Sequence, residues 1–433
     1  MGKQHTAKQW FQLLIPSTFG VAIFFVPVSI GDKNTILLDH FVIWAEKILG
    51  DYAGWYALFL IIGGCVHSIK NKFWQKGIGS IIFALFKFAG IIMAAMVMTK
   101  SGPVVLYEPF MLEFLWKALV IPVAILVPIG ALFMPLLVNY GLVELAGGLS
   151  QPFMRRLFHI PGRSAIDAVA SFVTSFAVGL LITNKAYLNG EYSAKEAAII
   201  ATGFSTVSVA FMVIVARTLD LMDIWSVFFI ATLITTIIVT AISARLPPIS
   251  RMSETAINSE TIAKKGERLK TAINEAIRVA NQPKRPRELI KETLQDGLVM
   301  TMTILPTILS IGTLSLLIEK YTPVFDWVGY AFYPITLIFG IDNGLELSAA
   351  VSTSYSEMFL PALIMAESDI VSRLVSGIVA ISSILFVAAS IPCIMATQIP
   401  LSFYALTLIW FIRTALSMLV SIPLAMLISH FLI

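Results

Sequence analysis

Residues 164–176 read SAIDAVASFVTSF, and residues 343–355 read NGLELSAAVSTSY. Both carry one pattern: an acidic residue, then, seven positions on, a Thr-Ser-aromatic triplet inside otherwise apolar sequence. Asp167 leads to Thr174-Ser175-Phe176, and Glu346 leads to Thr353-Ser354-Tyr355. The likeness extends over residues 164–216 and 343–393. After a gap of two residues, Ser205-Thr206 falls opposite Ser382-Ser383. Carboxylates and hydroxyls are costly in hydrocarbon and so face a cavity or a partner. Their recurrence at matching places in two halves predicts an all-α polytopic membrane protein built from a duplicated unit, a plan that secondary transporters use.

Composition agrees. Apolar residues make up 58% of the chain and charged residues 13%, against about 25% charged in a soluble domain. The mean hydropathy is +0.86. Runs of about 20 apolar residues recur, enough to cross a hydrocarbon core of about 30 Å. Such runs must be helices, because lipid offers the backbone no hydrogen bonds, and the alternation of barrel strands is absent. The net charge of +4 gives no footprint for nucleic acid. Cys65 and Cys393 lie in or beside apolar stretches, and the five histidines are scattered, so no disulfide framework or metal site is expected. There is no phosphate-binding Gly-Lys-Ser/Thr loop, so an ATP drive would need a partner chain. Nothing supports enzymatic catalysis, and no cofactor is expected. The lipid bilayer and a small-molecule substrate are the expected partners, with room for a homo-oligomer or a partner membrane subunit.

Along the chain, spans are expected near 11–31, 52–69 and 77–99. The first is too long for a signal-peptide core and lacks a small-residue cleavage site, so it reads as a membrane helix. Residues 34–50 mix apolar and charged side chains and read as an interfacial helix. The run from about 115 to 145 carries Pro122, Pro128 and Pro135, which should kink it. Residues 146–163 are short and basic. Spans follow near 196–216, 224–244, 298–318, 371–392 and 401–430. In the polar stretch 246–296, Leu269, Ile273, Ile277 and Ala280 recur at helical spacing, an amphipathic helix. A solvated connector is the plainer reading of that stretch, and a regulatory or lipid-binding role the other.

Lysine and arginine set the orientation. Lys3 and Lys8 place the N-terminus in the cytoplasm of a bacterial inner membrane. Lys70, Lys72 and Lys76 fall inside after two spans, and Arg155, Arg156 and Arg163 after four. The stretch 246–296 holds ten Lys/Arg against seven acids and also belongs inside. Three apolar segments lie between residues 163 and 246, yet the number of crossings must be even. The first repeat segment, rich in Ser and Thr, is therefore expected to be a re-entrant hairpin. The second copy begins from the other side, which makes the repeats inverted. The count is about nine spans and two hairpins.

The chain resembles the YjiH-type bacterial membrane proteins that contain the Gate domain, also called the nucleoside-recognition domain. The resemblance rests on Pro161-Gly162-Arg163-Ser164-Ala165-Ile166-Asp167 running into Thr174-Ser175-Phe176, and on Ile341-Asp342-Asn343-Gly344-Leu345-Glu346-Leu347 running into Thr353-Ser354-Tyr355. Proteins of this type are similar in plan to concentrative nucleoside transporters, in which two hairpins and two broken helices surround the substrate. The resemblance implies N-terminal membrane helices at 1–114, a first Gate-type repeat at 115–245, a cytoplasmic amphipathic linker at 246–296 and a second repeat at 297–433. It implies transport without settling the substrate; the leading expectation is H⁺- or Na⁺-coupled transport of a small polar metabolite, a nucleoside first and an amino acid or small peptide next. A non-transporting scaffold or sensor built on the same fold is the alternative.

The residues that would carry this chemistry are Asp167, Thr174, Ser175, Asn184, Asn343, Glu346, Thr353, Ser354 and Glu357. A poorly hydrated carboxyl can exchange protons, help coordinate Na⁺ or bond ribose hydroxyls. Each carboxylate is equally readable as an interface group at a helix end. Glu346 and Glu357, eleven residues apart, would share a face of one helix or sit on opposing hairpin arms. Asn343 and Asn184 suit a base edge or carboxylamide, though Asn343 also suits a helix cap. The triplet hydroxyls suit a hairpin tip, but they also glue helices together. Lys87 stands alone in an apolar run. It should pair with an intramembrane acid, for which Glu144, Asp167 and Glu346 are candidates, or meet an anionic group.

Overall fold

The computed structural model describes residues 6–31, 33–70, 78–108, 111–173, 176–256, 268–281, 286–395 and 397–432. Helices dominate, and apolar side chains such as Trp55, Phe59, Val66, Ile230 and Phe431 stay exposed on their outer faces, a surface suited to lipid. Among the described residues, four helical runs are long and apolar enough to cross a membrane: Leu37–Lys70, Met222–Ser243, Arg287–Tyr321 and Phe403–Phe431. Ile121–Leu137 and Leu142–Phe158, bent by 72°, make a fifth if taken as one span. In Trp225–Ser243 the hydroxyls of Thr232, Thr235 and Thr236 bond carbonyls one turn back, which removes the cost of placing them in an apolar helix.

The N-terminal part comprises α1 (Ala7–Phe25), α2 (Leu37–Leu49), α3 (Ala53–Lys70) and α4 (Ile78–Thr99). The span expected at 11–31 stops early. Val26 precedes Pro27 and is extended, because the proline ring disfavours helical backbone at the residue before it. Pro27–Ile30 (β1) and Lys33–Ile36 (β2) then form an antiparallel hairpin. The expected interfacial helix is α2, which passes through a short turn into α3 as one run of 34 residues. Its acidic face is turned onto the bundle. Buried Asp39 and partly buried Glu46 hold Arg217 at 3.1 Å and 3.0 Å.

The proline-rich run becomes α5 (Leu112–Leu115), α6 (Ile121–Phe133) and α7 (Pro135–Val138), followed by α8 (Leu142–Phe153). Gly141, at φ 86°, holds the left-handed backbone at the bend before α8. From α8 onward one order of elements appears twice. First come the hairpin of α9 (Ser164–Val173) and α10 (Phe176–Leu188), the broken helix of α11 (Ala194–Gly203) and α12 (Val209–Thr218), and α13 (Trp225–Ser243). After α14 (Arg268–Ala280), α15 (Pro286–Tyr321) and α16 (Val324–Ile338) come the hairpin of α17 (Gly344–Ser352) and α18 (Leu360–Ile364), the broken helix of α19 (Ile370–Ser382) and α20 (Ser390–Met395), and α21 (Phe403–Leu432).

The two copies enter from opposite sides. At one face, Arg163 pairs with Glu191 at the base of the first hairpin, and Lys195 at the start of α11 pairs with Glu254. On the same side Asn184 Oδ1 accepts from the Gln398 amide, 2.9 Å, beyond α20. At the other face, Arg373 in the first turn of α19 donates to the Leu219 carbonyl just past α12, 2.9 Å. Ser372 there donates to Asn343 at the base of the second hairpin, 2.9 Å. Helix α13 starts beside the second face and runs toward the first; its 19 residues span about 28 Å at roughly 1.5 Å each. The hairpins are therefore re-entrant and the repeats inverted, as the charge count required.

Within 246–296, α14 is docked rather than solvated. Its apolar stripe is seated in the bundle: Ala276, Ile277 and Ala280 are buried with Leu13 of α1, flanked by Trp10, Leu145 and Ile273. Leu269, also expected on that face, stays exposed. An amphipathic helix needs somewhere to bury its stripe, and α1 and α8 provide it.

Candidate functional site

The tip of the second hairpin, Phe176 at the start of the first hairpin's second arm, and the non-helical stretches of both broken helices converge inside the bundle. The second tip, Thr353–Tyr355, is a single tight turn. It docks backbone to backbone on the second break: the Val387 amide donates to the Tyr355 carbonyl, 2.7 Å, and the Ala388 amide to the Ser356 carbonyl, 2.9 Å. The triplet's hydroxyls are engaged with the scaffold. Thr353 Oγ1 donates to the Ala350 carbonyl, 2.6 Å, and Ser354 Oγ accepts from Trp410 Nε1, 3.2 Å. The Tyr355 hydroxyl bonds Thr407 Oγ1, 2.6 Å, and its ring lies 4.7 Å from that of Trp410. Ser354 and Tyr355 thus fix the hairpin on α21, and Thr353 closes the end of its own helix. In the first hairpin Thr174 and Ser175 lie outside the described residues. The aromatic of that triplet, Phe176, meets Phe386 of the second break at 6.2 Å between ring centroids, and Phe211 at the start of α12 meets Phe359 beyond the second tip at 6.2 Å.

Glu357 lies immediately beyond the second tip. It is buried, and its Oε2 accepts from the Phe359 amide, 2.6 Å. Glu346 is eleven residues earlier, in the first turn of α17, and is exposed. The two expected arrangements, a shared helical face or opposing arms, give way to a third, with one carboxylate at the base and the other at the tip. A tight turn after Ser352 ends the helix that would have aligned them. Glu346 opens on a cavity of about 480 Å³ lined also by Glu319, Asp326, Tyr333, Asp342 and Asn343. Asn343 precedes α17 without capping it, its side chain being taken by Ser372. Asp167 occupies the matching first turn of α9 but is buried, and accepts from the Tyr192 hydroxyl, 2.8 Å. Arg163 lies over the Tyr192 ring.

The structure thus brings Thr353, Ser354 and Glu357 to the convergence and leaves Asp167, Glu346 and Asn343 at the hairpin bases. Asn184 is on the first face, against Gln398. Lys87 is buried far along the N-terminal helices, where Nζ donates to Ser68 Oγ, 2.9 Å. The carboxylates expected for it are placed elsewhere: Asp167 with Tyr192, Glu346 on the acidic cavity, and Glu144 on α8 beside α14.

Two further groups lie at the convergence: Thr206, which the repeat pattern includes but which is not among the residues expected to carry the chemistry, and Arg413, which the sequence reading missed. In the first break, 204–208, Ser208 caps α12 by accepting from the Phe211 amide. Thr206 Oγ1 is buried there with no hydrogen-bond partner among the described residues. Arg413 of α21 is fully buried. It donates to the carbonyls of Ser382, 2.7 Å, and Ser383, 3.3 Å, and to Thr240 Oγ1, 3.1 Å, and Ser243 Oγ, 3.4 Å. The signal was present: Arg413 interrupts an apolar helix as plainly as Lys87 does. At the rim, burial opposes ionisation of Asp369, but hydrogen bonds from Ser372 and the Val371 amide outweigh it and hold its carboxyl below the usual range.

The family pattern named Gate, described as nucleoside recognition, matches residues 120–222. The Gate resemblance expected from the repeat is borne out over that stretch, which contains the first hairpin and first broken helix. The chain is 28% identical over 445 residues to an uncharacterized protein of Alkalihalophilus pseudofirmus, a likeness covering 98% of this chain and 95% of that one. A solved structure of CNTnw, a double variant in an outward-facing state, covers 98% of this chain and 100% of that chain at 11% identity, with a TM-score of 0.49.

Proposed function

We propose that this Gate-containing membrane protein is a secondary transporter that moves a small polar metabolite through the convergence of its two hairpins and two broken helices. One observation carries the reading: two hairpins enter from opposite faces, the second sets its tip on the interrupted stretch of the second broken helix, and Phe176 of the first meets that same stretch. Inverted repeats with interrupted helices are how transporters hold a substrate near the midplane and expose it to each side in turn. A nucleoside is the favoured substrate, since residues 120–222 match a nucleoside-recognition pattern, and amino acids or small peptides come next. Glu357 and Thr206 are the groups assigned to substrate or coupling ion, H⁺ or Na⁺. Residues 115–245 and 297–433 are the two transport units, 246–296 links them, and 1–114 supports them. The seat is the bacterial inner membrane with the N-terminus in the cytoplasm.

Uptake into proteoliposomes decides the matter. Labelled nucleosides, amino acids and dipeptides are presented with an imposed proton or sodium gradient. Saturable, gradient-dependent accumulation of one class is expected. If no compound accumulates under either gradient, the transporter reading falls and a ligand-binding scaffold replaces it.

A further inference from the structure

The carbonyl ends of the two half-helices meet through two side chains, Arg413 and Thr240. Helix α19 ends at Ser382, and Arg413 donates to the carbonyls of Ser382 and Ser383. Helix α11 ends at Gly203, whose carbonyl accepts from Thr240 Oγ1, 2.9 Å, and Thr240 in turn accepts from Arg413. Both ends carry the negative pole of a helix dipole and carbonyls without a helical partner. Among the described residues no carboxylate pairs with Arg413, and a guanidinium keeps its proton even when buried. Its compensation comes from these oxygens.

In transporters with interrupted helices, unwound carbonyls and half-helix carbonyl ends are what coordinate a coupling cation. Here that place is taken by the protein itself. We propose that Arg413 is a tethered cation: a positioning residue that holds both half-helix ends together and, by occupying the carbonyls of the second break, leaves no place there for a free Na⁺. Coupling at the convergence then falls to a proton or to the first break. The functional part of the proposal rests on the transporter reading, while the structural part does not.

The test is thermal melting of the purified full-length chain, which requires no substrate. The wild type should melt at the same temperature in NaCl and KCl of equal ionic strength. Arg413→Ala should melt several degrees lower, and millimolar methylguanidinium, binding by mass action, should restore much of the loss. Leu406→Ala, a cavity variant elsewhere on α21, should show no such rescue. Arg413→Lys should recover less than methylguanidinium does, because an ammonium cannot reach acceptors on both helices. Thr240→Val, which frees only the Gly203 end, should lower melting less and remain indifferent to Na⁺. The assignment is overturned if Na⁺ specifically stabilises the wild type, if Arg413→Ala melts like the wild type, or if methylguanidinium rescues both alanine variants alike. Where Arg413→Ala does not purify, the salt comparison on the wild type and Thr240→Val decides. Guanidinium rescue without uptake of any compound would sink the transporter reading and leave the tethered cation standing.

Discussion

The two hairpins share a sequence pattern and hold its acidic residue in different ways. The first is fastened at its base, where Asp167 is buried against Tyr192 and Arg163 pairs with Glu191. At the base of the second, Glu346 faces an acidic cavity, and its tip is fastened by Trp410, Thr407 and the amides of Val387 and Ala388. Matching positions in a duplicated unit therefore do different work. The acidic residue of the motif holds one hairpin shut and leaves the other accessible, so it cannot be the shared chemical group of the two halves. What they share is topology, and the proposed chemistry rests on Glu357, outside the motif.

The largest effect is expected at that residue. Glu357→Gln should lower gradient-driven uptake at least tenfold with little change in melting, since the amide keeps the shape. Uptake equal to the wild type would move the chemistry off the second tip. Next, Asp167→Ala removes the acceptor of a buried hydroxyl and should cost about 2–3 kcal/mol in an unfolding titration. Glu346→Ala, its sequence counterpart, should stay within about 0.5 kcal/mol. Equal losses would show that the two bases are alike after all. Trp410→Phe removes the donor to Ser354 and should cost about 1 kcal/mol, with slower uptake if the second tip moves in transport. Smallest is a pH effect at the rim. The folded pKa of Asp369 lies below its ordinary 3.8, so its capping contribution is present above that value and fades as pH falls through the folded pKa. Asp369→Ala should cost no more than about 1 kcal/mol at neutral pH, its exposure lowering the figure, and almost nothing in acid. A loss that persists in acid would show that the cap is not electrostatic.

Much of the fold was legible. The duplicated motif and the parity of basic loops predict inverted hairpins, and the spacing of Ile273, Ile277 and Ala280 predicts the linker helix. Less of the site was readable. The Thr-Ser hydroxyls looked available, but Ser354 is taken by Trp410, 56 residues on. Lys87 drew attention and Arg413 did not, although each places a cation within an apolar run of sequence. Arg413 reaches Thr240 across 173 positions of sequence, a separation that no local pattern records.

The sequence by itself determined the class, the number and phase of the repeats and the opposite entry of the hairpins. Those follow from hydrophobicity, proline and charge, which act locally or sum along the chain. Only the tertiary structure decided which polar groups are engaged with the scaffold and which are left at the convergence. In an apolar medium every buried polar group must find a partner, and which partner it finds depends on distances set by packing, such as the 2.8 Å between Tyr192 and Asp167 or the 2.7 Å between Arg413 and Ser382.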